Sequence, residues 1–143
     1  MKKKVMWFVG VALLVCCVIY FYPMSFSSDL IENQDLTIQV NELGVQNGEA
    51  YINTKKYDQI TEEQKRKIVE RMQNCSYKRT LKTYMGDGAM EELGNKIAFI
   101  SIYDGETLTE IAVSASGQVS IHGRLYEMRN AEQFIRGIED ILK

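Results

Sequence analysis

The chain has one proline, one histidine and three cysteines among its 143 residues, and no basic residue between Lys4 and Lys55. Each shortage removes a class of explanation. Cys16 and Cys17 lie in an apolar N-terminal run, which leaves Cys75 and His122 as the thiol and imidazole of the remaining chain. That pair cannot assemble the usual four-ligand zinc site, nor can the cysteines make a disulfide framework, so the fold must be held by apolar burial. Cationic charge is also short. Once Lys2, Lys3 and Lys4 are set aside, 14 basic residues face 19 acidic ones, the reverse of a nucleic-acid binder's balance. The excess acid is Asp29, Glu32, Asp35, Glu42 and Glu49, and from residue 54 onward the two signs are equal.

One long hydrophobic run is present. Residues 5–22, VMWFVGVALLVCCVIYFY, carry no charge, and as a helix they would extend roughly 27 Å, enough to reach across a hydrocarbon core. Trp7 near one end, with Tyr20 and Tyr22 near the other, suits the two interfaces, and Pro23 stops the helix. Three lysines before the run and none soon after it place the N-terminus in the cytoplasm and the rest outside. The expected organisation is a cytoplasmic tip and transmembrane signal anchor over 1–23, a juxtamembrane spacer over 24–35 and an extracytoplasmic domain over 36–143. Two other fates compete with a retained anchor. Ser25 and Ser27 form a small-x-small pair that would allow cleavage before Ser28 and secretion. Leu13-Leu14-Val15-Cys16 approximates a lipoprotein signal, although Val15 is not small.

In the domain, Leu36, Ile38 and Val40 alternate with polar residues as a half-buried strand does. Gly44 and Asn47-Gly48 mark turns, and residues 50–53 form a second strand or an extended approach to the helix. Thr61 with Gln64 is a capping-box pair opening a helix, whose apolar face is Ile68, Val69, Met72 and Cys75. Glu62 with Arg66 and Glu63 with Lys67 are i,i+4 pairs on its other side. A strand is expected over 78–83, then a glycine-bearing loop over 84–96 with a short helical turn at 89–93. Residues 97–103, IAFISIY, read as a central strand covered on both faces. Asp104-Gly105 signals a hairpin, strands follow over 108–115 and 118–122, and 125–128 follows Gly123 as a bent extension or a separate strand. Asn130 is placed to cap a last helix with the stripe Phe134, Ile135, Ile138, Ile141 and Leu142. The fold class is therefore α+β: an N-terminal transmembrane helix, then an antiparallel β-meander packed against two amphipathic helices.

The segment Ile60-Thr61-Glu62-Glu63-Gln64, the pair Lys78-Arg79, the stretch from Gly117 to Tyr126 and the terminal helix resemble small uncharacterised membrane-anchored extracytoplasmic domain proteins of Gram-positive bacteria. The resemblance covers most of residues 55–143. It implies an exported domain and carries no activity or site residue with it.

Candidate chemistry is thin. His122 with Ser120 and Asp104 names the members of a triad, yet Gln118, Ser120 and His122 share the polar phase of one strand, which makes His122 an exposed residue. Gly86-Asp87-Gly88 is half of a nucleotide-binding glycine pattern, with Glu91 where the third glycine belongs. The sequon Asn74-Cys75-Ser76 falls inside a helix, and Cys75 lies on that helix's apolar stripe, as a buried inert thiol does. No catalytic, cofactor-binding or metal-ligating residue is assigned. Lys65, Arg66, Lys67, Arg71, Lys78, Arg79 and Lys82 form the one basic concentration, a candidate contact for a polyanion or a partner, set against a solvated and partly paired helix face. The expected function is a tethered, non-enzymatic accessory that binds a membrane or envelope protein, of regulatory or immunity type, and is anchored in lipid through residues 5–22. Nucleic acid, metals and cofactors are not expected. The competing functions are an envelope-acting enzyme built on carboxylates or tyrosines and a lipid- or wall-polymer binder.

Overall fold

The computed structural model describes residues 2–26, 35–85, 90 and 96–143, without the side chains of residues 2–5 and Ile19. Helix α1 (Lys2–Phe21) leads through Pro23 into the two-residue strand β1 (Met24–Ser25). A long hairpin follows, β2 (Asp35–Gln46) and β3 (Glu49–Tyr57), then α2 (Glu62–Gln73), β4 (Ser76–Arg79) and the single turn α3 (Lys82–Met85). Strands β5 (Lys96–Tyr103), β6 (Leu108–Ser114), β7 (Gln118–Ile121) and β8 (Arg124–Met128) form a meander, and α4 (Ala131–Ile141) closes the fold. All eight strands belong to one sheet in the order β1-β4-β8-β7-β6-β5-β2-β3, and every neighbouring pair is antiparallel. The α+β class and the meander packed against α2 and α4 are thus observed.

The register explains which face is buried. Ile38 lies opposite Ile100, and Ile100 opposite Ile111; Val40, Ala98, Val113 and Val119 make a second row across four strands. All of these are buried, and Ile68 and Met72 of α2 with Phe134, Ile135 and Ile138 of α4 close over them. Each fully buried aliphatic or phenyl side chain contributes about 1.5–3 kcal/mol relative to exposure, so this layer is the main source of stability.

Helix α2 begins as its sequence dictates: Gln64 N–H donates to the Thr61 hydroxyl at 3.3 Å, and Thr61 N–H donates back to the Gln64 side chain at 3.1 Å. The Gln64 amide also donates to the Ile141 carbonyl at 3.0 Å, tying α2 to the end of α4. Asn130, expected to cap α4, makes no side-chain cap hydrogen bond; its φ of −100° and ψ of 40° put it outside the extended geometry that aims a cap side chain at the next turn. The α4 stripe also holds Glu139, a buried carboxylate paired with Lys96 at 3.1 Å.

Several segments depart from the sequence expectation. Met24, Ser25 and Phe26, expected in a spacer, belong to the domain. Met24 pairs with Tyr77, and Phe26 is buried with its ring 4.8 Å from Tyr77 and 6.4 Å from Phe134. The remaining spacer before Asp35, the Gly86-Asp87-Gly88 pattern and the expected 89–93 turn lie outside the described residues, apart from Met90. The strand expected over 78–83 starts earlier and ends at Arg79, because Thr80 N–H turns to the Thr83 hydroxyl at 2.8 Å and starts α3. The strand expected to run to His122 ends at Ile121. His122 (φ 49°) and Gly123 (φ 72°) form a two-residue turn, and of the two forms expected for the segment after Gly123, 124–128 takes that of a separate strand.

Arg71 crosses from α2 onto α4, donating from Nη2 to the Gln133 carbonyl at 2.6 Å and from Nε to the Phe134 carbonyl at 3.4 Å. Its guanidinium occupies the space where a Cβ at residue 137 would lie, so the helix carries Gly137 there. A mid-helix glycine costs about 1 kcal/mol relative to alanine. Two charge-assisted hydrogen bonds, discounted for partial exposure, offset roughly that amount. Gly137→Ala should therefore leave stability unchanged or lower in the native background and raise it by about 1 kcal/mol in an Arg71→Ala background. Denaturant unfolding of the four variants measures this coupling, and additive effects would show that Arg71 and Gly137 are independent.

Candidate partner-binding surface

The two ends of the sheet are unlike. At one end β1 is two residues long and continues into α1. At the other, β3 pairs on one side with β2 over nine consecutive residues and is exposed from Glu49 to Lys56. The β2–β3 turn is Asn47-Gly48 with φ of 55° and 84°, the two-residue form whose twist matches a hairpin. In that form Gln46 and Glu49 exchange hydrogen bonds, and bonding residues then alternate along the ladder. Ala50, Ile52, Thr54 and Lys56 therefore turn their N–H and C=O groups away from β2, toward open edge. Near the turn the surface is apolar: Val45 is 62% exposed, Ile52 65% and Tyr51 42%. Tyr51 lies across Gly44, with ring atoms 2.6 Å from where a Cβ would stand, so glycine there lets the ring lie on the strand. At the far end of β3 the edge carries Lys55 and Lys56, the latter 3.8 Å from Asp58.

The basic residues singled out from the sequence do not share one face. Lys65 lies 4.0 Å from Glu62 and is mostly covered; Lys67 pairs with Glu63 at 2.7 Å. The expected Glu62–Arg66 pair is replaced by Glu62–Lys65, and Arg66 makes no ion pair among the described residues. Arg71 is committed to α4. Lys78 points to the sheet face opposite α2, where Glu127 meets it at 3.3 Å. Arg79 and Lys82 sit in β4 and α3, beside the end of α1.

Ser120 and His122 line one open cavity of about 550 Å³ on the sheet face away from α2 and α4, with Met90, Ile97, Phe99 and Glu110. Asp104 is elsewhere, and among the described residues no hydrogen bond joins Ser120, His122 and Glu110. A second cavity, of about 580 Å³, opens between the hairpin and α4, where Arg136 is paired with Glu132 at 2.5 Å. Cys75 is half-buried, and burial pushes its thiol pKa up against the opposing pull of Arg71, which lowers its reactivity. Among the described residues no group of three or more His, Cys, Asp or Glu side chains could hold a metal ion.

The β3 edge was legible only as an Asn-Gly turn, and Gly44, also expected to mark a turn, lies within β2 opposite Tyr51; that the second strand would be outermost depends on the order of strands far apart in sequence. Among the described residues no helix is long and apolar enough to cross a membrane. The uncharged run in the sequence begins at Val5, and that side chain and Ile19 lie outside those described. No protein-family model matches the chain, and neither does any curated protein or solved structure.

Asp104 organises the β5–β6 turn. Its carboxylate accepts from the Thr107 hydroxyl at 2.6 Å, from Thr107 N–H at 2.7 Å and from Glu106 N–H at 2.9 Å. These bonds, the Thr107 hydroxyl foremost, hold its pKa at about 2, below the ordinary 3.8. A depressed carboxylate stabilises the fold above its unfolded pKa, so this contribution is complete above about pH 4 and lost as pH falls through about 2. An NMR titration of the side-chain carboxyl should show a midpoint near 2, and Thr107→Val should move it upward. A midpoint near 3.8 in the native protein would mean that the turn bonds do not form in solution.

Proposed function

We propose that this chain is a membrane-tethered, extracytoplasmic, non-enzymatic accessory protein that recognises an extended segment of a membrane or envelope protein at its β3 edge. The observation that carries this reading is the run of outward-facing peptide groups at Ala50, Ile52, Thr54 and Lys56 beside the exposed apolar residues at the hairpin end. Strand addition uses such an edge for main-chain hydrogen bonds and takes its specificity from alternate side chains. The complementary segment is apolar where it meets Val45, Tyr51 and Ile52 and acidic where it meets Lys55 and Lys56.

Tethering is supported by α1. Beyond its three lysines its sequence is apolar around the whole circumference, and the side chains from Met6 to Val18 are all exposed. A helix hydrophobic all round needs an apolar environment, and the domain does not supply it; lipid would. The lysines in its first turn favour a cytoplasmic N-terminus. A tether raises the effective concentration of the edge near other membrane proteins, so a modest strand-addition affinity suffices.

A photo-crosslinking side chain at position 52 should capture a specific neighbour in intact cells, and one at the α2 position 63 should not. Thr54→Pro removes an outward-facing donor without touching the β2 ladder, and at an edge it should leave the melting temperature nearly unchanged while abolishing capture. Equal capture at both positions, or capture that survives Thr54→Pro, would overturn the β3 assignment.

A further inference from the structure

The polypeptide leaves α1 beside a patch that the packing of the domain does not explain. Leu81, just before the helical turn α3, is 72% exposed, and within the turn Tyr84 is 58% and Met85 85% exposed. Next to it Phe21 at the end of α1 and Tyr22 just after it are exposed. The two groups are joined: the Tyr20 ring stacks on Tyr84 with centroids 5.3 Å apart, and the Tyr20 hydroxyl donates to the Thr80 carbonyl at 3.2 Å. We infer that α3 is a second membrane contact, a foot that inserts Leu81 and Met85 into the headgroup–acyl boundary of the bilayer that α1 enters, and so fixes the orientation of the domain.

Three physical features select lipid over other occupants. The patch is continuous with the end of α1, so it lies at the depth where the helix emerges. Its composition is that of an interface: aromatic rings with one polar tip, long apolar side chains, and the exposed cation Lys82 between them. The joint is also held firmly, because β1 pairs with β4 and Phe26 is buried immediately after it, which leaves α3 little freedom to swing away from α1. Insertion would cover about five exposed apolar side chains that otherwise remain in water.

This inference rests on the reading of α1 as a span, and the test separates the two. In full-length protein carrying Trp7→Phe and reconstituted into vesicles, a single tryptophan is placed by Leu13→Trp, by Met85→Trp or by Val45→Trp. Lipids brominated near the chain ends should quench emission from position 13, and lipids brominated just below the headgroup should quench most of the emission from position 85. Neither should reach position 45, and soluble acrylamide should quench 45 strongly and 85 weakly. Quenching at 13 without quenching at 85 by the shallow lipid would overturn the foot and leave the span intact. Position 85 shielded from both lipid and acrylamide would mean that another protein surface or a second copy covers it, which also overturns the proposal. No lipid quenching at 13 would overturn the span and the foot with it.

Discussion

Burial of one sheet face under two helices is the constraint on which the molecule depends. The row Ile38–Ile100–Ile111 and the row Val40–Ala98–Val113–Val119 have to be covered. Two helices of 12 and 11 residues are what the chain supplies. They must lie side by side to span the sheet, and the contacts between them follow from that requirement. Gln64 reaches the end of α4, and Arg71 crosses it at the one position where the helix has no side chain. Covering a face in this way leaves the sheet edges as they are, and the edges are where the chain has surface to spare.

Those edges are handled in opposite ways. The β1 edge is reduced to two residues and merged with the end of α1, so it presents almost no free ladder. The β3 edge is long, regular and uncovered. Seven inter-strand spacings of about 4.8 Å separate them, about 34 Å across the sheet. On the proposed tethering, attachment at β1 would hold β3 well away from the membrane. Strand order alone sets this reach, with no flexible arm.

Features built from neighbouring residues were legible in the sequence. The Thr61–Gln64 capping box, the α4 stripe and the Asn47-Gly48 and Asp104-Gly105 turns all depend on contacts within a few positions. What could not be read depends on partners far apart. Met24 and Tyr77 are 53 positions apart, and neither carries a local strand signal; Phe26 enters the core because α4 and β4 close around it. Gly137 reads as a weak point in a helix until Arg71, 66 residues earlier, fills the vacant space. His122 was expected at the exposed end of a strand and is exposed, but for another reason: the β7–β8 register needs a two-residue turn there, and a histidine tolerates its left-handed backbone. The candidate site followed the same pattern. The basic residues are neighbours in sequence, yet the alternation of β4 sends Lys78 to the face away from α2.

Lysines on an edge strand ordinarily protect it from pairing, and Lys55 and Lys56 would do so here against an indifferent neighbour. Their position makes them selective as well. They occupy only the end of β3 next to α2, so pairing near Ile52 is unobstructed and pairing along the full strand brings a partner's side chains beside two cations. An apolar or basic segment would meet unmatched charge; a segment acidic at that end would meet charge of the opposite sign. Because successive side chains alternate, Lys55 lies on the helix-covered face and Lys56 on the other, so a partner strand acidic at that end would meet a cation on either face. On the proposed reading, the two residues that suppress indiscriminate association would also set the charge of the strand the edge accepts.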